Sequence, residues 1–271
     1  ATVAFQTAYL KTYYMPEYMA ALMTSYIGGT ESEKKIVPCK LDCEENDIKI
    51  LTPDINFSAD RFVVQGDNAI RFPLSAIKGV GSEAAKLIAK ERIENGLYKS
   101  FEDMARRLDS GILNKRVIEA LIKSGSLDSI SYTRADVMAH YEDILASVNS
   151  DKRNSIKGQI NFFNTDKLAD FVFEEKPKIN EFRKEILLAQ EKESLGFYIS
   201  GSPLDKYKAV RKRFANTNTL NIDKIGKDEE EVDFRNIKTE KQKLISMVTE
   251  VKVITDKNGN DMAFVKVSDE F

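Results

Sequence analysis

Several absences narrow the reading at once. The 271-residue chain has no run of 18 apolar residues, so no helix of it is predicted to cross a bilayer and no membrane partner is expected. It has two cysteines, Cys39 and Cys43, and one histidine, His140. With no second cysteine pair and no nearby histidine, zinc ligation is not expected. Reduced thiols in a cytoplasmic protein are. No basic leader with a cleavage signature opens the chain. Neither sign of charge dominates, since 41 Lys/Arg face 43 Asp/Glu for a net charge of −2. A chain that coats nucleic acid indiscriminately is therefore excluded, and any such contact must come from a local patch. No nucleophile–base pair or ligand cluster stands out, which makes an independent enzyme the least favoured class.

What is present begins with Leu74-Ser-Ala-Ile-Lys-Gly-Val-Gly-Ser-Glu-Ala-Ala-Lys-Leu-Ile88. An apolar turn of helix runs into Lys78-Gly79-Val80-Gly81, and a second helix starts at Ser82. This is the pattern of a helix-hairpin-helix. The glycines admit unusual backbone angles and close approach of a phosphate. The amides of Val80, Gly81 and Ser82 should point outward at a helix N-terminus, where anions are favoured. Lys78 adds a charge, while Val80 turns inward and Ala84 and Ala85 let the helices cross closely. Between Lys78 and Lys123 ten Lys/Arg stand against seven Asp/Glu, so the positive surplus falls where the hairpin falls.

Further along, Asn114 is placed to cap a helix from Lys115 to Lys123, with Val117, Ile118, Leu121 and Ile122 on one apolar face. Ser124-Gly125-Ser126-Leu127-Asp128 then reads as a second, less regular hairpin. Asn114, Lys115, Arg116, Lys123 and Gly125 are its candidate DNA contacts. Two hairpins in tandem would each grip one strand of a duplex.

The remaining segments are plainer. Residues 1 to about 47 read as helices broken at Gly28-Gly29 and near Pro38. Met15-Pro16 opens one segment, because proline fits a first turn. Apolar residues recur at helical spacing from Ala4 with no cap before them, the mark of a piece of a longer protein. Ile48–Leu51 alternates, and Phe62–Val64 with Ala69–Phe72 predict a small hairpin around Gly66-Asp67-Asn68. Helix returns at about Ile179–Ser194, stops at Gly196, and resumes over Leu204–Ala215. Lys243–Ile254 and Met262–Val267 predict a β-hairpin.

Gln159-Ile160-Asn161-Phe162-Phe163 exposes one aliphatic and two aromatic residues behind a glutamine in a polar stretch. Burying each apolar side chain contributes about 1.5–3 kcal/mol, so they either pack at home or dock in a partner's pocket. The spacing is that of a sliding-clamp ligand, with Gln159 in a polar subsite and Ile160, Phe162 and Phe163 in an apolar one.

Several blocks in order then resemble a known family. Ala4–Lys11, Tyr14–Leu22, Ile50-Leu-Thr-Pro-Asp-Ile-Asn56, Ala76–Gly81, Asn114–Gly125 and Glu193–Leu204 are similar to the carboxy-terminal half of the bacterial DNA polymerase III alpha subunit, a C-family replicative polymerase. The resemblance implies five parts: the end of a fingers region (1–72), a tandem helix-hairpin-helix domain (73–148), a linker with the clamp motif (149–178), a helical connector (179–240) and a partial OB fold (241–271). The expected fold is mainly α with small β elements. The implied partners are primer-template duplex DNA, the sliding clamp (the beta subunit) and other replisome subunits. The family's catalytic aspartates and their Mg²⁺ ions would lie upstream, leaving this part without cofactors and inert alone. Two other classes remain at this point: a repair or nuclease-accessory module binding branched DNA, and an interaction scaffold whose hairpins only pack.

Overall fold

The computed structural model describes residues 2–29, 31–156, 178–219, 222, 241–255 and 259–269. The chain forms two compact units, Ala1–Ser200 and Gly201–Phe271. The described part is mainly helical with two small sheets.

The first unit opens with α1 (Thr2–Tyr13), α2 (Met15–Ser25) and α3 (Ser32–Glu45). Pro16 sits in the first turn of α2 as expected, and Gly28 adopts a left-handed φ of 79° in the break before α3. Pro38 was expected to end a helix, but α3 runs through it. A proline there removes one backbone donor. Burial of Ile36 and Cys43 on the same helix offsets that loss.

Three short strands follow: β1 (Lys49–Leu51), β2 (Val63–Val64) and β3 (Ala69–Arg71). The predicted hairpin is present, with Val64 opposite Ile70. β1 joins its other edge in parallel, Ile50 opposite Ile70. The Pro53-Asp-Ile-Asn56 block between β1 and β2 is an anchor. Ile55 N donates to Ser126 O at 2.7 Å, Arg92 Nη1 donates to Ile55 O at 2.6 Å, and Asn56 exchanges hydrogen bonds with the backbone of Tyr98.

A single 3₁₀ turn (Leu74–Ala76) leads to α4 (Ser82–Asn95), α5 (Phe101–Arg107), α6 (Lys115–Lys123), α7 (Arg134–Ile156) and α8 (Lys184–Leu195). Met23, Ile70, Leu74, Ile88, Met104, Ile118 and Leu121 are wholly excluded from solvent and belong to one continuous core. Arg107 ties α5 to α4 through Glu91 at 2.7 Å and lies over the Tyr98 ring at 4.4 Å. Burial, then the neighbouring Glu91, pushes the Tyr98 hydroxyl pKa well up. α8 begins later than its periodicity predicts because 179–183 docks on α7. Glu181 accepts from the Arg134 and Ala135 amides and so caps α7 from outside.

In the second unit a 3₁₀ turn (Asp205–Tyr207) runs into α9 (Lys208–Phe214), and β4 (Met247–Thr255) pairs antiparallel with β5 (Asp261–Ser268). The β-hairpin is the one predicted, and it is consistent with the first strands of an OB barrel. Val251, Val253 and Phe264 remain more than half exposed. Two strands do not bury both faces of a sheet.

Candidate nucleic-acid interface

The first hairpin is tighter than its sequence implies. Leu74–Ala76 makes only one 3₁₀ turn, because Ile77 is already extended and Val80 N donates back to Ile77 O at 3.0 Å. That bond commits an amide expected to point outward. The Lys78 amide is committed too, to Ser194 O at 2.8 Å. Val80 is buried as the plug, and Ala85 and Ile88 pack fully behind it. Gly81 is the N-cap of α4, extended at φ −74°, ψ 155°, and no side chain caps that end. A helix leaves its first amides without internal partners. The Val80 amide is thus already bonded, and the amides at the helix start begin with Gly81 and Ser82, one residue later than expected.

Lys78 is half exposed, and its ammonium pairs with Glu33 on α3. An exposed pair of this kind contributes at most about 1 kcal/mol, so a phosphate could displace the carboxylate. Gly79 takes a φ of 102°, open to glycine at little cost. A Cβ there would lie 3.2 Å from the Ala120 Cβ and 3.5 Å from Arg116 Nε. Its bareness is thus needed for α6 to pack on the turn.

The second hairpin is not where the sequence reading put it. Ser124–Leu127 is a buried helix stop, with Asp128 exposed just beyond it. Gly125 has φ 76° and its amide donates to Ile122 O, while Ser126 N donates to Leu121 O, both at 3.0 Å. This double closure satisfies the last carbonyls of α6. Ser124 and Ser126 are fully buried, so this turn offers no phosphate site, and Gly125 is corrected from contact to structural stop.

The hairpin lies one step earlier, between α5 and α6. Leu113 is buried like Val80, and the N-cap Asn114 has φ −76°, ψ 162°, close to the angles of Gly81. The signal was in the sequence: Val80-Gly81-Ser82 and Leu113-Asn114-Lys115 are both plug, cap and helix start.

The cations differ in what they already hold. Asn114 Oδ1 accepts from Val117 N at 3.0 Å, so that side chain caps its own helix as predicted. Lys115 pairs with Glu142 at 2.8 Å, which raises its pKa, and Lys123 pairs with Glu193 at 2.8 Å. Arg116 is exposed and forms no ion pair among the described residues, and its stem lies against Gly79. Gly79, Gly81, Ser82 and Arg116 thus form one patch, with Lys78 at its edge. Lys123 and Gly125 fall at the far end of α6, about 12 Å along the axis from Lys115. The partner carboxylates Glu33 and Glu193 were missed, since nothing local marks them. Gln159, Ile160, Asn161, Phe162 and Phe163 lie outside the described residues. No group of three or more potential metal ligands occurs among the described residues.

Comparison with known proteins adds a second line. A helix-hairpin-helix motif model matches residues 47–137. The chain is 33% identical over 279 residues to DNA polymerase III subunit alpha of Saccharopolyspora erythraea, covering 99% of this chain and 22% of that protein. It is 35% identical to that of Borreliella burgdorferi over 98% of this chain and 22% of the relative. The Helicobacter pylori protein of the same name is 37% identical over 80% of this chain and 18% of its own length. The chain thus spans about a fifth of the curated relatives it matches.

Proposed function

The chain belongs to the family of DNA polymerase III alpha subunits, which it matches along nearly its whole length, and from that premise we propose that it grips duplex DNA without sequence preference and docks on the sliding clamp. The whole protein would be a cytoplasmic DNA-directed DNA polymerase working with other replisome subunits. The residues described here do not fit its two Mg²⁺ ions, because no carboxylate cluster converges among them. No chemical step is therefore assigned to them, and this part should be inactive alone.

The observation that carries the duplex reading is the start of α4, which has no side-chain cap, beside Arg116, which forms no ion pair among the described residues. Backbone amides and one guanidinium contact phosphates and position a duplex without reading its bases. Lys78 joins by exchanging Glu33 for phosphate. In fluorescence anisotropy with a primer-template of arbitrary sequence, affinity should fall steeply with salt. Arg116→Ala should reduce the slope of log K against log salt by about 0.9, one phosphate's worth. An unchanged slope would remove Arg116 from the interface, and salt-insensitive binding would sink the duplex reading.

Clamp docking is supported by the residue pattern Gln159–Phe163. In a surface-plasmon assay against an immobilised bacterial sliding clamp, Phe162→Ala with Phe163→Ala should weaken binding by tenfold or more, as loss of aromatic anchors does at a hot spot. Duplex affinity should stay at its parent value. Retained clamp affinity would refute the assignment.

A further inference from the structure

A lysine in each hairpin is already held, and by an acid from outside the hairpins. Lys78 in the first turn pairs with Glu33 of α3, and Lys115 at the helix start of the second pairs with Glu142 of α7 at 2.8 Å. Neither acid is a helical neighbour of its lysine. Pairs such as Lys86–Glu83 and Lys90–Glu94 follow from i, i+3 and i, i+4 spacing on α4 alone. Those of Glu33 and Glu142 exist only because α3 and α7 pack where they do.

Both carboxylates are seated, not dangling. A Cβ on Gly196 would collide with the Glu33 carboxyl carbon, so Glu33 lies in the notch that this bare left-handed residue, φ 93°, opens at the end of α8. The same helix end takes the Lys78 amide through Ser194 O. Glu142 accepts from the hydroxyl of the buried Tyr141 at 3.1 Å. The Lys115 ammonium first, and then that hydroxyl, hold the Glu142 carboxyl below its ordinary pKa. Exposed ion pairs add little to folding stability, so stapling helices does not explain why the arrangement recurs at both hairpins. A carboxylate does offer a lysine what a phosphate offers, a delocalised negative charge on two oxygens.

We propose that Glu33 and Glu142 are internal phosphate mimics that mask the two hairpins in the free protein and are displaced by an incoming duplex. Arg116, exposed and without an ion pair among the described residues, makes the first contact. Lys78 and Lys115 then exchange carboxylate for phosphate. A lone anion opens one pair, whereas a duplex presents an array of phosphates that opens both, so the mask selects for extended backbone. The proposal rests on the duplex reading above and adds the regulation of that site.

The test uses the full chain and a labelled primer-template at fixed low salt. Glu33→Gln, which keeps the shape and removes the charge, should tighten binding by about twofold to fivefold. Glu142→Gln should tighten it by less, because Glu119 also stands 3.9 Å from Lys115. The gain must come through the lysine. In a Lys78→Gln background Glu33→Gln should change nothing, and likewise Glu142→Gln in Lys115→Gln, as a double-mutant cycle reads directly. Wild-type affinity in both Gln variants would overturn the mask and leave the duplex reading standing. Weaker binding would overturn it too, since the acids would then be positioning the lysines for DNA. A gain that persists without the lysine would reduce it to a general effect of charge. Duplex binding by the Gln variants and not by the parent would support the mask in its strongest form, and binding by none of them would refute mask and duplex reading together.

Discussion

Gly125→Ala is expected to destabilise the first unit by about 3–5 kcal/mol, among the largest effects of any single substitution in the chain. Two penalties coincide there. The backbone φ of 76° is strained for any side chain. A Cβ would also fall on the Arg134 guanidinium, 2.7 Å from its Cζ and 2.9 Å from Asp128 Oδ2. Arg134 is almost wholly buried and bidentate to Asp128, with Nε at 2.9 Å and Nη2 at 2.7 Å. Displacing it strands a buried charge, which costs far more than the pair itself contributes. Amide hydrogen exchange across α6 and α7 would report the loss without requiring the two units to unfold together. Gly81→Ala is the control, since its φ is −74° and open space lies where a Cβ would go. It should leave protection in α4 unchanged. Wild-type protection in Gly125→Ala would mean that Arg134 has somewhere else to go.

Glu191→Ala should cost about 3–5 kcal/mol for a different reason. This carboxylate is 1% exposed, yet it accepts from Ile199 N, from Ser200 N at 2.9 Å and from Ser200 Oγ at 2.6 Å. Hydrogen bonds to a charged group contribute about 1.5–3 kcal/mol each, and unmade buried donors carry their own penalty. The alanine variant leaves the 197–200 segment without its acceptor. Phe197, which stacks edge-on to Phe72 at 5.8 Å, then loses its hold on the core. Glu191→Gln keeps one acceptor oxygen and should lose less than half as much. The measurement is again protection of α8 and of the turn after it. Equal losses in the two variants would show that charge, not acceptor geometry, is what the turn requires.

Both sites show where local sequence runs out. The limits of α6, its Asn114 cap and its buried face were legible because cap and periodicity are local properties. The β2–β3 hairpin, the Gly196 stop with φ 93° and the proline start of α2 were legible for the same reason. The pattern around Lys78–Ser82 likewise pointed to the first hairpin, and the order of several blocks pointed to the family. Gly125 shows the limit. Its left-handed turn was readable, but a glycine in a phosphate-binding turn and one closed over by an arginine look alike until Arg134, nine residues on, is placed in space.

What the sequence alone determined, then, is most of the local elements and the parent family, because both are written in short spans and their order. Only the tertiary structure decided which groups face an incoming phosphate. It bound the Lys78 amide to Ser194, paired Lys78 with Glu33 and Lys123 with Glu193, and brought Arg116 onto Gly79. Hydrogen bonds and ion pairs between residues tens of positions apart depend on how the helices pack. No window of neighbouring residues contains that information.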